Sequence, residues 1–110
     1  MAKSRACVWE GLYTHFSTAD QRDKTYANLQ LARFSEVLSL LPGLVKRPRI
    51  VHMAASSAIL DLPESYFDAV RAGILMYGHY PSRETSCCIR PRQVMTLKTY
   101  IAHLREMPGG

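Results

Sequence analysis

Two short runs rich in β-branched and aromatic residues flank a longer stretch in which apolar side chains recur every three or four positions, and this alternation restricts the fold more than any other feature. The first run, residues 7–16 (CVWEGLYTHF), reads as a strand in its second half and ends at His15. Ser17, Thr18, Ala19 and Asp20 then offer helix N-cap candidates. Tyr26, Leu29, Phe34, Val37, Leu38 and Leu41 follow at helical spacing, and Pro42-Gly43 closes an amphipathic helix of about five turns. The second run, residues 49–54 (RIVHMA), predicts a strand ending near His52.

Beyond it, Ser56-Ser57 precedes a short helical piece over residues 58–62, and Pro63-Glu64 opens another. FDAVR, residues 67–71, predicts a third strand, while AGILMYG fits strand or helix equally by pattern. Strand, long helix, strand, short helix, strand is the order of βαβ units, which implies an α/β fold with parallel pairing. From His79 to Arg92 the composition turns to HYPSRETSCCIRPR, without usable periodicity, as a linker does. Residues 95–107 alternate in the manner of one long strand of a second, antiparallel sheet. The expected division is a barrel part at 1–80, a linker at 81–94 and the start of a β-domain at 95–110. Three parallel strands cannot close a barrel, which in its eightfold form takes about 250 residues, so the expectation is a piece of a longer protein.

Composition removes several function classes. No apolar run approaches the roughly 20 residues of a membrane span, and MAKSRACVWEG lacks a signal peptide's apolar stretch, so the cytoplasm is the expected location. Three cysteines, Cys7, Cys87 and Cys88, form no C-x-x-C pair, and a metal site is not expected. The net charge of +5 rests largely on two loop-like clusters, Lys46-Arg47-Pro48-Arg49 and Arg90-Pro91-Arg92. Neither interleaves aromatic residues that could stack on bases, so nucleic acid is not the expected partner.

The polar residues at strand ends carry the chemistry. Ser56 opens a short helix after the second strand, where a hydroxyl and nearby N–H groups can meet an anion or where the serine can simply cap the helix. Gly73-Ile74 repeats the arrangement after the third strand, and in parallel barrels phosphate commonly sits at such loops. Arg71, inside an apolar run, needs an acceptor; Asp68 or Glu64 would give an ordinary ion pair. His15 and His52 end the first two strands, so that three polar groups would line one pocket.

These segments together resemble the alanine racemase family. EGLYTHFSTAD is similar to its E-G-x-x-T-H-F-A-x-A-D, VHMAASSAIL to V-H-x-A-N-S-A, and LPESYFDAVRAGILMYG to L-P-x-x-x-x-D-x-V-R-x-G-I-x-x-Y-G. LKTYIAHLREMPGG is similar to the L-K-x-x-V-x-x-V-K-x-V-P-x-G that opens the family's second domain. The resemblance implies the last three βα units of a (β/α)8 TIM-type barrel, followed by the first strand of a C-terminal β-domain. It implies pyridoxal phosphate as cofactor, with Arg71 facing the pyridine nitrogen and Ser56, Gly73 and Ile74 at the phosphate. His15 and His52 would support that arginine in a hydrogen-bond network.

An arginine only donates hydrogen bonds, so the pyridine nitrogen is expected to stay unprotonated; the weaker electron sink then suits racemisation over transamination. The implied reaction interconverts L- and D-alanine in a homodimer, supplying D-alanine for peptidoglycan. The family's cofactor lysine stands in a V-K-A-x-x-Y-G-H-G setting, which none of Lys3, Lys24, Lys46 or Lys98 shares. Its catalytic tyrosine follows the P-x-G turn. Neither proton carrier is expected within these 110 residues, and Ala55 stands where the motif has asparagine. A non-catalytic pyridoxal phosphate barrel and a racemase for serine or another amino acid remain alternatives.

Overall fold

A computed structural model describes residues 7–43 and 46–109. Lys3, the residues of the expected barrel part at 1–6 and 44–45, and Gly110 of the expected β-domain lie outside the described residues. Three strands, β1 (Gly11–Tyr13), β2 (Ile50–Ala55) and β3 (Ala69–Arg71), form a parallel sheet in the order β1-β2-β3. Three helices accompany them: α1 (Thr25–Leu40), α2 (Ser56–Asp61) and α3 (Gly73–Met76). The βαβ order and the parallel pairing are those expected from the sequence. The ambiguous AGILMYG segment resolves as helix, and 3₁₀ turns occupy Leu41–Gly43 and Pro63–Ser65.

The sheet divides its side chains by the strand period of two. Val51 and Met53 are fully buried in the cluster that also holds Ala27 and Phe34 of α1. Burying side chains of this size contributes about 1.5–3 kcal/mol each, so β2 and α1 stabilise each other. His52 points to the opposite face. There it pairs in register with Tyr13, and the two rings stack with centroids 5.2 Å apart. Between His52 and Ala55 the register with β3 shifts: three steps along β2 match two along β3, so that Ala55 lies opposite Arg71.

Two expectations about α1 need correction. The helix starts at Thr25 rather than within residues 17–20: Ser17 and the Ala19 carbonyl are engaged elsewhere, and the Thr18 hydroxyl is buried without a partner among the described residues. Gln30 Oε1 accepts from both the Ser17 amide and hydroxyl, and Lys24 Nζ donates to the Ala19 carbonyl. The Asp23 carboxylate accepts from the Thr25 amide at 2.8 Å, satisfying one of the first-turn donors. The buried stripe also differs. Ala27, Phe34 and the half-buried Leu31 and Leu38 face the core, whereas Tyr26, Leu29 and Val37 are 43–49% exposed. The helix carries two apolar stripes, and this sheet covers one.

The segment expected as a linker contains no helix or strand, as its prolines dictate, yet it is no free tether. Thr85 is buried, the Arg22 amide donates to Glu84 at 2.7 Å, and Ser86 bonds both to the Asp61 carboxylate and to the Leu60 carbonyl. Residues 95–107, expected as a strand, belong to no sheet and are exposed. Alternation makes a segment competent to pair, but a ladder needs a second strand, and none reaches it among the described residues.

The Asp61 carboxylate fastens three segments, with Lys24 Nζ at 2.9 Å and the Ser86 amide at 2.9 Å. Burial pushes its carboxyl up, but the hydrogen bonds from Lys24 and Ser86 outweigh that and hold it below the ordinary value. A carboxyl lowered on folding contributes stability above its unfolded pKa and loses it as pH falls through the folded one. Urea midpoints of the parent and Asp61→Asn are therefore expected to differ at neutral pH and to converge as the pH falls through the carboxyl's lowered pKa. A difference that persists unchanged in acid would show that the carboxylate's charge is not what holds the three segments.

Candidate functional site

All the strand ends that matter lie at the carboxyl side of the parallel sheet. β3 ends at Arg71, whose side chain crosses the middle of β2 and the end of β1; His52, expected to end the second strand, is the third residue of β2, which continues to Ala55. One terminal nitrogen approaches His52 Nδ1 at 2.6 Å. The other reaches His15 Nδ1 at 2.7 Å and the carbonyls of Thr14 and Met53, each at 3.1 Å. The guanidinium carbon also lies 5.5 Å from the centre of the Tyr13 ring, within cation–π range.

The chemistry of these partners follows from the donor count. A guanidinium has five N–H groups and accepts nothing, so both imidazoles must accept at Nδ1, and each neutral ring then carries its proton on Nε2. One terminal nitrogen spends one hydrogen on His52; the other shares two among three acceptors. One terminal hydrogen and the Nε–H remain, with no acceptor among the described residues. A cation whose fork is fixed across three adjacent strands, with donors left over, is organised to receive an acceptor from outside the chain.

The ion pair considered from sequence does not form. Asp68 instead accepts from the Val51 amide at 2.8 Å and pairs with Arg47 at 3.0 Å. The Val51 hydrogen bond is the main cause of its lowered pKa, with Arg47 adding to it against burial. The Asp68 amide donates in turn to the Val51 carbonyl at 2.9 Å, bracing the turn in which Phe67 takes a left-handed φ of 50°.

Ser56 does not cap its own helix. Its buried hydroxyl donates to the Ala72 carbonyl at 2.6 Å and accepts from the Leu75 amide at 3.2 Å, tying the start of α2 to the start of α3. Gly73 has φ +35°, and a Cβ there would stand 3.1 Å from Ser56 Oγ. Gly73 and Ile74 are the first residues of α3, so their N–H groups have no partner within the helix. Ser56, Gly73 and Ile74 thus occupy one place, beside the Arg71 cluster. The donor set suits a ligand that brings an anionic group to the amides and a ring acceptor to the guanidinium, which pyridoxal phosphate does.

A cavity of about 270 Å³ opens next to these groups, lined by His15, Ser17, Asp20, Ala55, Ser57 and Pro81 among others. Ser56, Gly73 and Ile74 are not in its wall. Tyr13 and the Thr14 and Met53 carbonyls escaped the sequence reading. For Tyr13 a signal existed, since it lies two residues before His15 and therefore on the same face; the carbonyls have none, because every residue carries one.

Residues 1–81 match the family model described as alanine racemase, N-terminal domain. An alanine racemase from Desulfosudis oleivorans is 41% identical over 104 residues, which cover 92% of this chain and 26% of that protein. One from Clostridium tetani is 43% identical with the same coverage. The chain therefore spans about a quarter of the length of the curated relatives it matches. Among solved structures, the alanine racemase from E. faecalis aligns with a TM-score of 0.70 at 37% identity, over 78% of this chain and 23% of that one. The alanine racemase from Bacillus anthracis, solved with bound L-Ala-P, aligns with a TM-score of 0.62 at 43% identity, over 81% of this chain and 22% of that one.

Proposed function

On the premise that the chain belongs to the alanine racemase family through its N-terminal domain, we propose that it forms part of the pyridoxal phosphate site of an alanine racemase. The sheet would be the last three βα units of a TIM-type barrel, with residues 95–110 beginning a β-domain that finds its partner strands in the rest of the protein. The observation that carries the reading is the Arg71 fork, held by two imidazoles and two carbonyls with donors to spare.

Pyridoxal phosphate, when bound, supplies the electron sink that makes an amino acid's α-hydrogen acidic enough to remove. Arg71 donates to the ring nitrogen and keeps it free of a proton, which moderates that sink. The Gly73 and Ile74 amides bind the phosphate, and Ser56 holds their loop in place. His15 and His52 fix the guanidinium's direction by accepting from it.

The proton carriers come from elsewhere in the whole protein. Lys24 is committed to Asp61, while Lys46, before β2, and Lys98 are exposed and belong to no strand. The complete enzyme interconverts L- and D-alanine as a cytoplasmic homodimer, and its D-alanine serves peptidoglycan synthesis. L-Ala-P in the Bacillus anthracis relative supports a small amino-acid-like substrate.

The test is saturable binding of pyridoxal phosphate to the purified chain by equilibrium dialysis. Pyridoxal, lacking the phosphate, is expected to bind at least tenfold more weakly, with no D-alanine formed from L-alanine. Absence of saturable binding would remove the site, and racemisation free of host enzyme would overturn the assignment of both proton carriers to the rest of the protein.

A further inference from the structure

The loop after α3 carries a second constellation, separate from the Arg71 cluster. Cys87 and Cys88 are adjacent, both exposed and both free. Their surroundings are fixed rather than loose: Ser86 bonds to Asp61 and Leu60, and the Tyr80 hydroxyl donates to the Ile89 carbonyl at 2.6 Å, closing the loop around them. Cys88 Sγ lies 3.4 Å from Ser86 Oγ and 3.6 Å from the Leu60 carbonyl. Cys87 lies against the Tyr80 hydroxyl, whose pKa is raised by burial first and then by Cys87, with Cys88 near enough to add to it.

Such a pair cannot readily discharge into a disulfide. Cα atoms of consecutive residues are about 3.8 Å apart, below the roughly 4.4–6.8 Å that an unstrained bridge spans. Among the described residues no group of three His, Cys, Asp or Glu side chains converges, so the pair has no third protein ligand there. What remains is a dithiol with two exposed soft donors on adjacent residues. That suits a centre needing only two bonds from the protein.

We propose that Cys87 and Cys88 form a chelating site for a trivalent, thiophilic centre, the simplest being a monosubstituted arsenical. Two As–S bonds form, the As=O bond breaks, and the oxygen leaves as water with the two thiol protons, so no oxidant or reductant is required. The first bond converts the second into an intramolecular step with an effective thiol concentration of order millimolar, so the pair binds far more tightly than either thiol alone. Cys88 gives up its contact with the Leu60 carbonyl. Cys7 stands alone and gains no such advantage.

The probe is phenylarsine oxide, added to the reduced 110-residue chain with its three cysteines. One equivalent is expected to lower the titratable thiols from three to one and to be released by an equimolar dithiol but not by a monothiol. Cys87→Ser and Cys88→Ser are each expected to weaken binding at least tenfold, whereas Cys7→Ser leaves it unchanged. Peptide mapping of the unsubstituted chain locates the arsenic without any variant. Arsenic on the Cys7 peptide, arsenic joining two chains, or either serine variant binding as tightly as the parent would overturn the proposal.

Discussion

Arg71→Ala is expected to destabilise the described fold by about 2–3 kcal/mol and to abolish pyridoxal phosphate binding. Hydrogen bonds to charged groups contribute roughly 1.5–3 kcal/mol each when buried. Four such contacts converge on Arg71, but the side chain is only half-buried, and water reaches part of what alanine would vacate. The sum is discounted accordingly. The loss is still large against the roughly 5–15 kcal/mol that holds a small domain together. It falls on all three strands at once, since the Thr14 carbonyl and His15 follow β1, the Met53 carbonyl and His52 belong to β2, and Arg71 ends β3.

Arg71→Lys separates charge from geometry. A lysine keeps the cation and offers three hydrogens from a single point, so it cannot serve four separated acceptors and still face a ring nitrogen. It should recover about half of the lost stability and little of the binding. Urea titration of both variants, paired with equilibrium dialysis, reads the two effects. An Arg71→Ala variant within about 0.5 kcal/mol of the parent would mean that the four contacts are incidental.

Gly73→Val is expected to cost about 2–3 kcal/mol and to remove phosphate binding, for a different reason. At φ +35° an L-residue is strained by roughly 1–2 kcal/mol before any contact is considered, and a β-branched side chain fares worse. The new Cβ would also stand 3.1 Å from Ser56 Oγ, which two hydrogen bonds hold and which cannot retreat without losing one. Relief requires shifting the start of α3, and with it the two amides assigned to the phosphate. Gly43→Ala is the control, because a Cβ there meets nothing within 4 Å and carries no positive φ. Its urea midpoint should match the parent's. If Gly73→Val does too, the close approach of the α2 and α3 starts is not maintained in solution.

The order of elements was legible because periodicity is a covalent property. Strands could be expected within residues 7–16, 49–54 and 67–71 without any knowledge of the surroundings, and the structure forms them at Gly11–Tyr13, Ile50–Ala55 and Ala69–Arg71; that Tyr13 and His52 share a face depends on the register between two strands. Whether residues 95–107 become a strand could not be read, since their alternation specifies a competent edge and not the partner that completes it. Ser56 shows the same division within one residue. Its place at the start of a helix follows from the local pattern, yet its hydroxyl bonds to the 72–75 turn, a choice that depends on where β3 delivers the chain.

Local sequence therefore determined which side chains share a face and which groups stand at strand ends. The tertiary structure decided which of the two apolar stripes of α1 is buried and which acceptors Arg71 takes, preferring two imidazoles and two carbonyls to Asp68. The reason is that a side chain's direction is set within a turn or a pleat, while its partner is set by the register and approach of a segment tens of residues away.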